Sequence, residues 1–364
     1  MRGVTILGST GSIGKSALAV LARQRDEFRV VALTARENGP ALARQVAEWR
    51  PALSGLVSEA GAELLVEAAT HPDVSIVINA VVGAAGLDAT LAALRSGKRV
   101  ALANKETLVM AGDLVRVACR EGGGELIPVD SEHSAVLQCV AGSDAALARL
   151  ILTASGGPFR EWPEARIAAA TVEEALNHPT WRMGSKVTVD SATLANKALE
   201  VIEAHHLFGV GYDALEVVVH PQSIVHAFVE FCDGSVIAQL GFPTMELPIL
   251  YALTHPKRVA DGGTRRFDPV AAGSLTFEPV RTDVFRAFRA GVDAGRAGGT
   301  APAAFNAANE VAVAAFLSGA IPFGRIAETI ERVLEAHRIE PVRDLETVRA
   351  ADQWARGRAR EVLA

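Results

Sequence analysis

Between His178 and His206 the chain reads HPTWRMGSKVTVDSATLANKALEVIEAHH, its densest run of reactive side chains. Within it, the segment from Asp190 to Glu200 (DSATLANKALE) reads as the end of a strand turning into a helix, which Asp190 or Ser191 can cap by accepting a backbone N–H bond. Past the cap, Asn196 and Glu200 stand four apart and Lys197 and Glu200 three apart, so all three share one helical face. Leu194, Ala198, Val201 and His205 form a separate stripe available for packing. An amide, an ammonium and a carboxylate side by side suit a polar, anionic ligand or a metal ion. The same letters also describe a solvated face with one Lys–Glu pair.

Other segments supply matching chemistry. Glu125 to Val129 reads as a strand that delivers Asp130-Ser131-Glu132-His133-Ser134. Two carboxylates at alternate positions after a strand can point into one cavity and coordinate a hard divalent cation through oxygen. With Glu200, three carboxylates would make an open Mg²⁺ or Mn²⁺ site that keeps positions for substrate oxygens. Alternatively, Asp130 caps the following helix and Glu132 completes the cap. Arg149 to Thr153 reads as a strand ending in Ala154-Ser155-Gly156-Gly157-Pro158, a hydroxyl with exposed N–H groups that makes a small anion nest, or a bare turn. From there to Lys186 the chain holds Pro158, Pro163, Pro179 and Gly184 with Trp181 and Met183. That composition fits a mobile lid with an aromatic and thioether cover; core packing of Trp181 is the competing reading. His220 and His226 flank Pro221-Gln222-Ser223, as phosphate or metal contacts or as satisfied structural histidines.

These groups need elements to carry them. Val4 to Leu7 is a short apolar strand running into Gly8-Ser9-Thr10-Gly11-Ser12-Ile13-Gly14, and Lys15 to Arg23 has helical periodicity. Glycines spaced by three between strand and helix let the backbone approach a pyrophosphate at the helix N-terminus. Arg29 to Ala35 reads as the second parallel strand and ends in Arg36-Glu37-Asn38; Arg36 suits a 2′-phosphate and NADP, whereas Glu37 pulls towards NAD. Further strands are expected at Ser75–Ala80 and Arg99–Ala103, the latter ending in Asn104-Lys105-Glu106. This triplet stands where nicotinamide and substrate would meet, or else it is a helix cap with a surface Lys–Glu pair. Glu216–His220, Ile224–Phe231 and Ser235–Gly241 read as three more strands, the last two joined by a hairpin at Asp233-Gly234. A free edge of that sheet would serve for pairing between subunits. Asp261 to Asp283 reads as a surface linker, and Val284 to Ala364 as a helical bundle.

At 364 residues the chain calls for two or three domains, and 49% hydrophobic with 21% charged residues makes it globular. No apolar stretch has membrane-spanning length, and no leader-like segment opens the chain. Cys119, Cys139 and Cys232 are scattered, which suggests reduced thiols and a cytoplasmic setting. A net charge of −6 argues against nucleic acid or a membrane surface as partner. Only six of the 36 basic residues are lysine, and Lys105 and Lys197 both sit in polar motifs, where a compact ammonium rather than a planar fork is wanted.

Taken together, GSTGSIG (8–14), ANKE (103–106), PVDSEHSA (128–135), TASGGPFR (153–160), HPTWRMG (178–184), VDSATLANKALE (189–200), HPQSIVH (220–226) and NAANEVAV (306–313) resemble the 1-deoxy-D-xylulose 5-phosphate reductoisomerase family. The resemblance implies an α/β chain with a Rossmann-like NADPH-binding domain (1–129) and a central α+β domain for catalysis, metal binding and dimerisation (130–260). A linker (261–283) and a C-terminal helical bundle (284–364) follow, and the whole forms a V-shaped homodimer. It implies that Asp130, Glu132 and Glu200 hold Mg²⁺ or Mn²⁺, with Lys105, Glu132 and Glu200 catalytic. The sugar phosphate substrate would meet Lys105, Ser131, Glu132, Ser155, His178, Ser191, Asn196, Lys197 and Glu200, its phosphate falling to Ser155, Ser191, Asn196 and Lys197, under a lid carrying Trp181 and Met183. NADPH would meet Thr10, Gly11, Ser12, Ile13, Arg36, Glu37, Asn38, Asn104, Glu106 and Gly184. The implied reaction rearranges 1-deoxy-D-xylulose 5-phosphate and reduces it to 2-C-methyl-D-erythritol 4-phosphate, for non-mevalonate isoprenoid synthesis. Two departures stand out: Arg36-Glu37 replaces the family's usual glycine and basic or small residue, and Gly39 to His71 is short, as though one edge unit were missing. The alternatives are an NADP-dependent dehydrogenase of another phosphorylated aldehyde, without isomerisation, and a non-catalytic NADPH sensor.

Overall fold

Val4-Thr5-Ile6-Leu7 and Ile76-Val77-Ile78 show no alternation, and strands apolar on both faces belong inside a parallel sheet covered on both sides. The computed structural model, which describes residues 1–143 and 146–364, places them there. Strands β1 (Arg2–Leu7), β2 (Phe28–Ala35), β3 (Leu53–Leu56), β4 (Ile76–Asn79), β5 (Arg99–Leu102) and β6 (Glu125–Pro128) form one sheet in the order β3-β2-β1-β4-β5-β6. All its pairings are parallel. Strand order reverses between β1 and β4, the switch point where ligands of open α/β sheets bind. The connecting helices are α1 (Ser12–Arg23), α2 (Gly39–Trp49), α3 (Val57–Ala60), α4 (Glu63–Thr70), α5 (Leu87–Arg95), α6 (Lys105–Gly122) and α7 (Ser131–Val140). The short stretch 39–71 thus contains α2 to α4 and the edge strand β3, whose letters LSGL carry no strand pattern and were not anticipated.

The second sheet runs β10-β9-β7-β8-β11, from β7 (Leu147–Ala154), β8 (Leu215–Val219), β9 (Val225–Phe231), β10 (Val236–Leu240) and β11 (Glu278–Pro279). Only β7 and β8 pair in parallel. The expected hairpin joins β9 to β10; Asp233 Oδ1 accepts from Ser235 N at 2.9 Å and Gly234 takes φ +84°. The stretch read as a linker is not bare, since β11 within it pairs with β8. The remaining helices are α8 (Glu164–Ala168), α9 (Val172–Leu176), α10 (Ser185–Ala192), α11 (Ala195–Phe208), α12 (Glu246–Thr254), α13 (Pro269–Ala272), α14 (Arg286–Ala297), α15 (Ala301–Leu317), α16 (Gly324–Ala336) and α17 (Leu345–Leu363). Among the described residues, no helix is long and apolar enough to cross a membrane.

By packing, the chain divides into two compact units. The first comprises Met1–Thr107, Gly112–Gly142 and Thr244–Arg266; the second comprises Leu108–Ala111, Ser143–Pro243 and Phe267–Ala364. This division is coarser than the one read from sequence and cuts it differently at α12. In the first unit, Ile249, Leu250 and Leu253 of α12 join Leu18 and Leu21 of α1 in the core over Ile6, Ile78 and Ile127. In the second, α14 packs on α11, and α15 packs with α16 and α17.

One expectation fails. The segment ahead of Asn196 is not the end of a strand: SKVTVDSA forms α10, so Asp190 and Ser191 lie inside a helix and cap nothing. The β-branched Val187, Thr188 and Val189 disfavour a helix by only about 0.5 kcal/mol each. Opposing that, Thr188 Oγ1 donates to Gly184 O at 2.9 Å, Lys186 pairs with Asp190 at 2.8 Å, and residues 188–192 are buried. Helix α11 then starts after Leu194, which is left-handed at φ 58° and gives no side-chain cap.

Candidate active site

Behind β1 the backbone is folded tightly enough to demand glycine. Gly8 takes φ +84°, and Gly8 N and Ser9 N both donate to Thr34 O at the end of β2, at 3.0 and 2.8 Å. A Cβ on Gly14 would lie 2.5 Å from Gly8 O and from Ser9 Cα, so glycine allows α1 to start against the loop. Gly11 at the N-cap offers no side-chain hydrogen bond, and the first turn of α1 carries no acid. Its amides and dipole are therefore available to a pyrophosphate, flanked by Thr10, Gly11, Ser12 and Ile13. Past β2, Arg36, Glu37 and Asn38 are all exposed, with Asn38 Oδ1 capping α2 through Ala41 N at 3.2 Å.

At the carboxyl ends of β4 and β5 two buried asparagines brace one loop. Asn104 Oδ1 accepts from Thr107 N at 3.0 Å, capping α6, while its Nδ2 donates to Val81 O at 2.7 Å, Gly83 O at 2.8 Å and Glu106 Oε2 at 3.1 Å. Asn79 donates to Gly86 O at 2.9 Å and Thr90 Oγ1 at 2.8 Å and accepts from Val81 N at 3.2 Å. Sequence reasoning missed Asn79, although an asparagine closing an apolar strand was the signal. The cap reading thus holds for Asn104, whereas Lys105 and Glu106 do not lie on an open surface. Glu106 is buried, and the Lys105 ammonium is paired with the Asp130 carboxylate. Asp130 occupies the N-cap position of α7 without making a capping bond, which excludes the cap alternative. Beside it, Ser131 Oγ donates to Glu132 Oε2 at 2.5 Å.

In the second unit three chain segments converge on one polar cluster. β7 ends at Ser155-Gly156-Gly157, where both glycines are left-handed, and a Cβ on Gly157 would lie 2.6 Å from Ser191 O. His178 Nδ1 accepts from Thr180 N at 3.1 Å and Trp181 N at 2.9 Å. Those two amides place the ring proton on Nε2, which donates to Ser155 Oγ at 3.0 Å. Gly157 N also donates to that hydroxyl, at 3.3 Å, so the Ser155 proton is left for a ligand oxygen. Burial pushes the His178 imidazole down to about 4, so it is neutral near pH 7.

On α11, Lys197 and Glu200 are 4% and 2% exposed, which removes the solvated-face reading. Lys197 Nζ donates to Thr153 O at 2.5 Å and to the Glu200 carboxylate, and Asn196 Nδ2 donates to Glu200 Oε1 at 2.5 Å. Asn196 Oδ1 is buried with no hydrogen-bond partner among the described residues. The N-terminus of α11 has no side-chain cap and no acid in its first turn. An ammonium, an amide, two hydroxyls and a helix terminus are groups that could together hold a phosphate. Trp181 is half-buried, its ring 6.5 Å from that of His226, with Met183 half-buried and Gly184 exposed nearby in sequence. His220 is structural: its Nε2 accepts from Ile224 N at 3.1 Å and its Nδ1 meets Thr276 O at 2.8 Å.

Carboxylates suit a hard divalent ion, and each of those proposed is already balanced by a donor: Asp130 by Lys105, Glu132 by Ser131, and Glu200 by Asn196 and Lys197. The donor chemistry fits Mg²⁺ or Mn²⁺.

Sequence models of 1-deoxy-D-xylulose 5-phosphate reductoisomerase match residues 4–61 and 55–112, of its C-terminal domain residues 126–208, and of a further DXP reductoisomerase C-terminal domain residues 240–358. The chain belongs to this reductoisomerase family. The 1-deoxy-D-xylulose 5-phosphate reductoisomerase of Symbiobacterium thermophilum is 50% identical over 385 residues, covering 99% of this chain and 98% of that one. The Geobacillus kaustophilus enzyme is 47% identical over 381 residues and covers 100% of both. A solved DOX-P reductoisomerase in complex with NADPH, fosmidomycin and magnesium matches with a TM-score of 0.94 and 38% identity, over 100% of this chain and 98% of that one. The Zymomonas mobilis reductoisomerase in complex with NADPH matches at 0.91 and 42%, over 100% and 99%. Full-length likeness to one reductoisomerase family favours neither a non-isomerising dehydrogenase nor a sensor.

Proposed function

We propose that this chain converts 1-deoxy-D-xylulose 5-phosphate to 2-C-methyl-D-erythritol 4-phosphate with NADPH and a divalent metal, in isoprenoid precursor synthesis. The observation that carries the reading is the cluster of buried Ser191, Lys197 and Glu200 with half-buried Ser155 and Asn196, which offers a phosphate several donors beside one carboxylate. Asp130, Glu132 and Glu200 would hold Mg²⁺ or Mn²⁺, which supplies Lewis-acid polarisation of the substrate ketone and its neighbouring hydroxyl. The N-terminus of α1 would hold the NADPH pyrophosphate and Arg36, Glu37 and Asn38 would face its 2′-phosphate, the cofactor when bound being the source of hydride. Ser155, Ser191, Asn196 and Lys197 hold the phosphate away from the reacting carbons, so binding energy there orients the skeleton for rearrangement. His178 keeps the Ser155 hydroxyl turned towards the ligand. Lys105 and Ser131 orient substrate hydroxyls, and Trp181 with Met183 covers the bound sugar and excludes water.

The functional division follows chemistry: residues 1–129 for NADPH, 130–260 for metal, substrate and dimer contacts, 284–364 as a helical domain, and 261–283 between them. A second copy would pair along β10, where Val236 and Ile237 are exposed. Three free cysteines support a cytoplasmic setting. The test is NADPH oxidation in the presence of 1-deoxy-D-xylulose 5-phosphate, with and without Mn²⁺. Oxidation that requires both additions and yields 2-C-methyl-D-erythritol 4-phosphate is expected. Undiminished oxidation in chelator, or none with this sugar phosphate, ends the reading.

A further inference from the structure

Helix α15 buries two asparagines, Asn306 and Asn309, completely. Apolar residues normally fill such positions, because an amide withdrawn from water without all its partners is costly. Both side chains leave Oδ1 without a partner among the described residues, so neither amide is there for its own satisfaction. Asn306 stays within its surroundings, donating to Glu310 Oε1 at 3.2 Å. Asn309 reaches out of the bundle: its Nδ2 donates to Asp190 Oδ1 at 2.8 Å. Turning the amide over would set its oxygen against a carboxylate, which fixes its orientation.

Asp190 is itself 1% exposed, and its other oxygen meets Lys186 Nζ at 2.8 Å, one turn earlier on α10. Lys186 and Asp190 each adjoin, in sequence, a segment of the proposed substrate site. Lys186 follows the Trp181–Gly184 segment, and Asp190 precedes Ser191, against whose carbonyl Gly157 is packed. Three residues further on, the left-handed Leu194 redirects the chain into α11, with Asn196 and Lys197 in its first turn.

We propose that Asn309, in the helical tail, is a positioning residue for the anion-binding ends of α10 and α11. Through Asp190 and Lys186 it sets where Ser191 and the Leu194 turn stand. The proposal rests on reading that end as the substrate-phosphate site, and the test separates the two. Asn309→Ala raises KM for 1-deoxy-D-xylulose 5-phosphate about tenfold, as loss of a hydrogen bond to a charged group should. The inhibition constant of inorganic phosphate rises with it, while kcat changes little and NADPH affinity, read by fluorescence titration, is unaltered. Asn309→Asp sets two carboxylates face to face and costs more. Adding Asp190→Asn restores the bond with donor and acceptor exchanged and recovers most of the loss. This exchange keeps the test available if the alanine variant does not fold. An unchanged KM with a lowered melting temperature, or an exchange that recovers nothing, overturns the positioning role. If Ser155→Ala also leaves both phosphate-dependent constants unchanged, the site assignment falls, and the proposal falls with it.

Discussion

Lys197 shows what a buried ammonium demands. At 4% exposure it has lost its water, and Thr153 O and the Glu200 carboxylate take its place as partners. A planar guanidinium needs more width and different angles, which explains a lysine in a chain where 30 of the 36 basic residues are arginine. His178 is the complementary case, a neutral group used for its direction. Its Nδ1 accepts two backbone N–H bonds that a proton would abolish, and burial lowers its pKa from the ordinary 6.5 to about 4. Because the folded value lies below the unfolded one, the stability contribution is complete above pH 6.5 and is lost as pH falls towards 4. The melting-temperature advantage of the wild type over His178→Gln should therefore be largest near pH 7 and shrink steadily to pH 4. An advantage that stays constant over that range would mean the ring is not held neutral.

At the level of elements, the glycine loop and α1 act as one piece. Gly14 lets the helix begin against the loop backbone, and an added Cβ would lie 2.5 Å from atoms that have no freedom to give way. Gly14→Ala should weaken NADPH binding by about tenfold or more, as the first-turn amides move off the pyrophosphate. Inhibition by inorganic phosphate, measured in the same preparation, should not change, since its proposed seat lies in the other packing unit. Equal loss of both would point to general unfolding. This loop was legible in the sequence because its requirement is written in residue type: a tight turn needs glycine. The apolar strands β1, β4 and β5 were legible for a similar reason. Helix α10 was not, because Val187, Thr188 and Val189 favour a strand locally, and the Lys186–Asp190–Asn309 contacts that decide otherwise span 123 residues. The Asn196, Lys197 and Glu200 face was readable from spacing alone, yet its burial depends on Thr153, far away in sequence.

For the molecule as a whole, the proposed pyrophosphate seat and the proposed substrate-phosphate seat lie on separately packed units. The pyrophosphate end of α1 contains no carboxylate and needs no metal, whereas Glu200 stands among the donors proposed for substrate. Cofactor affinity and turnover should therefore respond differently to one substitution. Glu200→Gln keeps the shape and the hydrogen bond from Asn196 but removes the charge, which costs a hard divalent ion one of its anionic ligands. NADPH titration of the variant should give the wild-type dissociation constant, while turnover of 1-deoxy-D-xylulose 5-phosphate falls by about a thousandfold or more and excess Mn²⁺ restores little of it. Lys197 loses its ionic partner in the same variant, and that alone would raise KM. The kcat measured at saturating substrate is therefore the deciding quantity. A normal kcat with only KM raised would leave Glu200 as the partner of Lys197 and remove it from the metal.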